Sequence, residues 1–153
     1  MISDLEEETI DLDWFSIDNN GEIGHFASGG QGFLPPSVKS SKSNLTRLAE
    51  FFRHSLSTNG AAIESQALLS HVQFNSRAQQ ARYLEDYSRM ASKGLYSFNC
   101  IMDFNRPTSY FLVVKPSCPL KVDDLPDEIR QILQTRFAGE FCNSEFVTER
   151  GFA

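Results

Sequence analysis

The sequence predicts a single α+β domain in which an antiparallel sheet of about four to five strands is packed against about three helices. The chain of 153 residues has the usual size of one domain. Two pairs of apolar runs flank turn residues, as in β-hairpins. Three other segments repeat apolar residues at helical spacing next to helix-capping residues. We therefore expect one domain over residues 1–153, with the acidic segment 1–9 as a candidate mobile arm.

The first hairpin is predicted over residues 10–27. The runs IDLDWFSI and EIGHFA flank Asp18 to Gly21, where Asn and Gly tolerate the positive φ angles of tight turns. The glycine-rich stretch Ser28 to Gly32 and the pair Pro35-Pro36 then break regular structure. We expect an exposed connection there, which continues as a polar loop to Ser43.

Two helices are predicted in the middle of the chain. The first begins near Ser43 or the residue after it and repeats apolar residues at helical spacing. Residues 61–74 are ambiguous and include a candidate short helix. The second helix begins at the capping box that Ser76 forms with Gln79, and it ends at Gly94, which can adopt the left-handed conformation of a helix C-cap.

The last third of the chain predicts a second hairpin, a helix and a final strand. From Tyr96, apolar residues alternate with polar ones, which predicts a half-buried antiparallel strand. Residues 105–108 supply a turn, and the apolar run Tyr110 to Val114 predicts the strand that pairs with it. A third helix is expected from Pro126 to Gly139, and a last strand from Phe141 to Val147.

The composition indicates a folded cytosolic protein that binds neither nucleic acid nor membranes. Thirteen Phe supply core residues, and a formal net charge of −6 repels phosphate backbones. The acidic start of the chain does not resemble an export signal, and no apolar run approaches the roughly 20 residues that span a bilayer. Cys100, Cys118 and Cys142 are odd in number and widely spaced, so we expect reduced thiols.

Acidic residues cluster at the start of the chain, ahead of any basic residue. The simplest interpretation is a solvated surface that keeps the protein soluble. The alternative is a binding surface, because clustered carboxylates speed association with a basic partner by electrostatic steering. Its candidate residues are Asp4, Glu6, Glu7, Glu8, Asp11 and Asp13.

Two motifs resemble ligand-binding loops but lack their key residues. Asp18 to Gly21 has oxygen ligands before a glycine, as in a calcium loop. With Gly21 at the sixth loop position, however, Ser16 and Ala27 occupy the positions where carboxylates are needed. The stretch Ser28 to Gly32 lacks the spacing of phosphate-binding loops. The sequence therefore predicts no metal and no cofactor.

Nucleophilic or acid–base catalysis has little support in the sequence. It requires a nucleophile next to a base, and His25, His54 and His71 lie in no local catalytic motif. Cys100 is predicted to be buried and inert, whereas Cys118 beside a proline is expected to be exposed. His25 and Cys118 therefore form the alternative site, that of a small enzyme or ligand-binding domain.

A set of turn and cap residues is distributed along most of the chain. These residues are Trp14-Phe15, Asp18, Gly21, Ile23, Phe26, Lys93 to Tyr96, Pro116, Pro119-Leu120 and Leu125-Pro126. Their layout resembles that of small uncharacterised bacterial proteins, some of which are similar to immunity partners of contact-dependent toxins. Turn and cap residues specify a fold rather than an activity, so the resemblance implies a binding role without catalytic residues.

The sequence favours a non-catalytic protein-binding domain, with an immunity protein that neutralises a toxin domain as the specific hypothesis. The alternative is a small enzyme or ligand-binding domain whose site is assembled from scattered residues. A third hypothesis is a homo-oligomer that associates through surplus Phe. A pocket in which His25 and Cys118 converge would favour the enzyme, and a flat acidic or apolar surface the binding protein.

Overall fold

The computed structural model describes residues 1–101 and 109–153, with every side chain in these ranges except that of Glu8. The strands are β1 Asp13–Ile17, β2 Ile23–Ala27, β3 Ala62–Glu64, β4 Tyr96–Cys100, β5 Ser109–Pro116 and β6 Phe146–Thr148. The helices are α1 Asp4–Thr9, α2 Pro36–Lys39, α3 Lys42–Glu50, α4 Leu68–His71, α5 Arg77–Ser92 and α6 Asp127–Ile132. A π-helical turn, Phe51–Ser55, continues α3. The turn predicted at 105–108 lies outside the described residues.

The six strands form one mixed sheet. The prediction of an α+β fold is therefore confirmed, and the prediction of a purely antiparallel sheet is wrong. The order is β1-β2-β4-β5-β3, and β6 also pairs with β5. Strands β2 and β4 run parallel, with His25 opposite Ser97. This is possible because the chain between them is long and includes α3 and α5, and a crossover of that length can return it in the same direction.

Both predicted hairpin pairings are present within this sheet. Strands β1 and β2 are antiparallel, and the turn between them contains Gly21 at a φ of 74°. Strands β4 and β5 are also antiparallel. The ambiguous segment 61–74 forms β3 and the short helix α4. The last strand is shorter than predicted, because the chain from Phe141 to Asn143 forms a 3₁₀ turn before β6.

The helix boundaries follow local capping chemistry. Helix α3 begins earlier than predicted, because the Ser41 side chain accepts a hydrogen bond from the Asn44 N–H and so forms the N-cap. Helix α5 begins at the predicted cap, Ser76, and is followed by Gly94 at a φ of 105°. Helix α6 ends at Ile132, well before Gly139.

Both faces of the sheet are covered, which the prediction of a half-buried strand β4 missed. Phe15 on one face packs with apolar side chains of α3, α6 and the π-helical turn. Trp14 and Phe26 on the other face pack with Ile2 and with side chains from the loop before α2 and from the C-terminal part of the chain. Ser97, expected on a solvent-facing side, is 0% exposed.

The glycine-rich connection after β2 is packed against the core, so the expectation of an exposed loop is wrong. The Ser28 side chain is buried and accepts a hydrogen bond from the Leu12 N–H at 2.8 Å. A Cβ atom at Gly32 would overlap the hydroxyl of Tyr110, which donates a hydrogen bond to the Phe33 carbonyl at 2.9 Å. Glycine is needed at position 32 because this side chain approaches the backbone so closely.

The acidic N-terminal segment forms a helix that is bound to the domain. Helix α1 has a capping box in which the side chains of Ser3 and Glu6 each accept a backbone N–H. Ile2 is 2% exposed and belongs to the core. Among the described residues, no helix combines the length and apolar character that crossing a membrane requires.

Candidate functional site

A polar cavity of about 410 Å³ lies between the π-helical turn and α5, above strands β1 and β2. We call it the α5 groove. Its charged lining residues are four carboxylates and three guanidinium groups: Asp11, Asp13, Glu85, Asp86, Arg53, Arg82 and Arg89. His25, Tyr83 and Tyr87 also line it. The groove therefore combines part of the predicted acidic surface with one residue of the alternative site.

The period of the strands explains why these side chains meet. Alternate residues of a strand point to opposite faces, so Asp13 and Phe15 of β1 share the face that carries α3 and α5. Phe15 pairs with His25 of β2, which places His25 diagonally opposite Asp13. In the parallel pair, His25 lies opposite Ser97 of β4. Three strands thus bring Asp13, His25 and Ser97 to one place.

Hydrogen bonds join these three side chains into a chain. The Nε2 atom of His25 lies 2.9 Å from Asp13 Oδ1, and its Nδ1 atom lies 2.7 Å from Ser97 Oγ. In the tautomer with its proton on Nε2, His25 donates to Asp13 and accepts from the Ser97 hydroxyl. Both ring nitrogens are therefore satisfied inside the protein.

Arg53 covers the solvent side of the hydrogen bonds that join Asp13, His25 and Ser97. Its guanidinium binds Asp13 Oδ2 and lies 3.8 Å from Asp86 Oδ2 on α5. Burial raises the pKa of the Asp13 carboxyl, but the His25 ring and the Arg53 guanidinium lower it more, to about 2. Asp13 is therefore a charged, doubly paired carboxylate at neutral pH.

The wall formed by α5 carries aromatic and charged side chains one turn apart. The rings of Tyr83 and Tyr87 are in contact at a tilt of 35°, with centroids 5.4 Å apart, and Tyr83 Oη accepts a hydrogen bond from Asn99 at 2.8 Å. Arg89 binds Asp86 at 3.0 Å. Arg82 is exposed and has no ion-pair partner in the part of the chain that the structure describes. The wall therefore carries one exposed guanidinium group without a charged partner among the described residues.

The Asp13–His25–Ser97 chain has the connectivity of a hydrolase triad but not its accessibility. A nucleophilic hydroxyl must reach a substrate carbonyl and must have an adjacent site for the developing oxyanion. Ser97 is 0% exposed and His25 is 1% exposed. A substrate cannot reach the hydroxyl without separation of α5 from the sheet. In this arrangement the three residues link β1, β2 and β4.

The remaining predicted acidic residues lie on a different surface. Asp4 and Glu7 each bind Lys39 at 2.6 Å, and Glu6 binds Lys42 at 2.5 Å. The side chain of Glu8 lies outside the described residues. The predicted acidic cluster is thus divided between an ion-paired helix α1 and the α5 groove, where Asp11 and Asp13 lie.

The structure does not bring Cys118 to His25. Cys118 is exposed, and its Sγ atom lies 3.6 Å from Asn59 Nδ2, at the turn beside Gly60. His25 instead contacts Asp13 and Ser97. Cys100 is buried as predicted, and its burial raises the pKa of its thiol to about 11.

Asp18 has a structural role in the first hairpin turn. Its carboxylate accepts hydrogen bonds from the backbone N–H groups of Asn20 and Glu22 and from that of Phe141, at 2.8 to 2.9 Å. It therefore fixes the turn and ties it to the C-terminal part of the chain. Within residues 1–101 and 109–153, no group of three or more His, Cys, Asp or Glu side chains is arranged to hold a metal ion.

Sequence reasoning missed the groove residues of α5 and the π-helical turn. Tyr83 and Tyr87 are four residues apart, so they lie on the same face of the helix. That spacing was a usable signal, but it does not show which strand the face covers.

Comparisons of the chain with protein-family models, with curated proteins and with solved structures each found no match.

Proposed function

We propose that this chain is a non-catalytic protein-binding domain that engages its partner at the α5 groove, and that it acts as an immunity protein by occluding a toxin domain. The observation that supports this proposal is the groove itself. Its exposed rim carries charged and aromatic side chains, while the Ser97 hydroxyl that contacts His25 is buried beneath them. A surface of this kind suits recognition rather than reaction.

The lining chemistry favours a protein partner over a small molecule. Sites for small molecules are mostly apolar and enclose most of the ligand. The α5 groove is lined largely by ion-paired charges, and protein interfaces are enriched in tyrosine and arginine. Tyr83 and Tyr87 supply rigid, half-buried rings, and Arg82 supplies a guanidinium that can form a new ion pair.

The distribution of charge narrows the binding surface proposed from the sequence. The carboxylates of Asp4, Glu6 and Glu7 bind lysines of the domain, which reduces the field that they project. Asp11 and Glu85 remain exposed at the groove. We therefore propose that the partner presents basic groups to Asp11 and Glu85 at the groove rim and a carboxylate to Arg82, so that reversing the charge of Arg82 removes an ion pair.

Two charge reversals of equal size test this proposal. The chain is used to isolate partners from its native host at low salt, and the affinity of the partner is then measured for Arg82→Glu and Arg150→Glu. Both arginines are exposed, but only Arg82 lines the groove. We expect Arg82→Glu to weaken binding about tenfold or more and Arg150→Glu to change it less than about twofold. Absence of a specific partner, or equal effects of the two variants, contradicts the proposal.

The alternative function, a small hydrolase, is favoured by one observation, the Asp13–His25–Ser97 connectivity. A fluorophosphonate probe distinguishes it, because such probes label only an accessible, activated serine. We expect no labelling of Ser97 in the native protein. Labelling that is abolished by Ser97→Ala would establish an enzyme and displace the binding proposal.

A further inference from the structure

Lys93, at the C-cap of α5, is an unusual residue because it is a lysine with only 6% of its surface exposed. Its Nζ atom donates hydrogen bonds to the carbonyls of Phe52 at 2.7 Å and Arg53 at 2.6 Å. It makes no ion pair with a carboxylate of residues 1–101 or 109–153. Buried lysines are costly unless their charge is compensated, so this contact needs a specific explanation.

The two carbonyls belong to the π-helical turn. In this turn the Leu56 N–H bonds to the Phe51 carbonyl, five residues earlier, at 3.1 Å. The extra residue lets Phe51 and Phe52 both enter the core, although successive residues of a regular α-helix are about 100° apart. Carbonyls at the end of a helix carry partial negative charge, which the Lys93 ammonium compensates.

We propose that Lys93 is the positioning residue of the α5 groove: it holds the π-helical turn in place and thereby sets the Arg53 guanidinium onto Asp13. One residue, Arg53, carries both contacts, because its carbonyl binds Lys93 and its side chain binds Asp13. Lys93 thus connects the end of α5 to the opposite wall of the groove. The role of the groove rests on the proposed function, but the positioning itself is a property of the free protein.

The carboxyl pKa of Asp13 reports whether Arg53 is in place. Arg53 is one of the groups that lower this pKa to about 2, so displacement of its guanidinium raises the pKa. A carbon-detected NMR titration of the Asp13 carboxyl in the free protein measures this directly. Lys93→Met removes the ammonium, Arg53→Met provides the reference for an absent guanidinium, and Lys115→Met is the control on an exposed lysine of β5.

We expect Lys93→Met to raise the proton affinity of Asp13 about as much as Arg53→Met does, roughly tenfold, and Lys115→Met to leave it unchanged. In the Arg53→Met background, Lys93→Met should add no further change, because both act through one guanidinium. Lys93→Ala, which also removes the donor group, is measured in parallel and provides the test if Lys93→Met does not fold. A folded Lys93 variant with the wild-type Asp13 titration, or an additive effect in the double variant, overturns the inference. Neither result depends on whether a partner binds.

Discussion

Helix α1 and the α5 groove both draw carboxylates from the acidic start of the chain, but they use them differently. In α1, Asp4 and Glu6 bind lysines at the surface, where water and salt screen the charges. In the groove, Asp13 is half-buried and binds both the buried His25 and Arg53. Asp4 and Asp13 are only nine residues apart in the sequence. Asp4 forms a surface pair of small energetic effect, whereas Asp13 belongs to a network that joins three strands and two helical segments.

The largest expected effect of this difference is on stability. Asp13→Asn removes the charge that His25 and Arg53 share, so we expect the free energy of unfolding to fall by about 2–4 kcal/mol. Urea unfolding at neutral pH measures it. Asp123→Asn, at an exposed position, is the matched control and should cost less than about 0.5 kcal/mol. Equal losses in the two variants would show that Asp13 contributes no more to stability than an exposed carboxylate does.

The pH dependence of stability sharpens the same comparison. The pKa of Asp13 is about 2 in the folded protein, below the value of about 3.9 in an unfolded chain. A carboxyl with a depressed pKa stabilises the fold above its unfolded pKa, and this contribution is lost as the pH falls from about 4 to about 2. We expect wild type to lose on the order of 2 kcal/mol more than Asp13→Asn over this range. Parallel stability curves for the two proteins would contradict this.

The smallest expected effect is at α1. Lys42→Met removes the ion pair with Glu6, and we expect a smaller loss of stability than for Asp13→Asn. Because the Lys42 side chain is 57% exposed, the loss should disappear in about 1 M NaCl, whereas that of Asp13→Asn should largely remain. Urea midpoints at low and high salt measure both. A loss that persists at high salt would place α1 among the structurally essential elements.

Features that depend on neighbouring residues were predictable from the sequence, and features that depend on distant ones were not. The β1–β2 turn and the start of α5 follow from Gly21 and Ser76, which act locally. The parallel pairing of β2 with β4 depends on a long crossover. The burial of Gly32 depends on Tyr110, nearly eighty residues later in the chain. Capping and turn signals carry no information about either contact.

The candidate site shows the same division. The period of β1 and β2 places Asp13 and His25 on one face, so their proximity could have been inferred from a hairpin of known register. The contact of Arg53 with Asp13 could not be inferred in this way. Arg53 reaches Asp13 from a π-helical turn, which shifts the helical register by one residue. The residues of α5 that line the groove were also not predictable, because the sequence does not show which strands a helix covers.

The proposed function requires that a protein partner binds at the α5 groove. Hydrogen–deuterium exchange of the chain, measured with and without its isolated partner, locates the bound surface. We expect exchange to slow in the π-helical turn and in α5 from Arg82 to Arg89, and to be unchanged around Cys118. Protection confined to other surfaces, with these two segments unchanged, would contradict it.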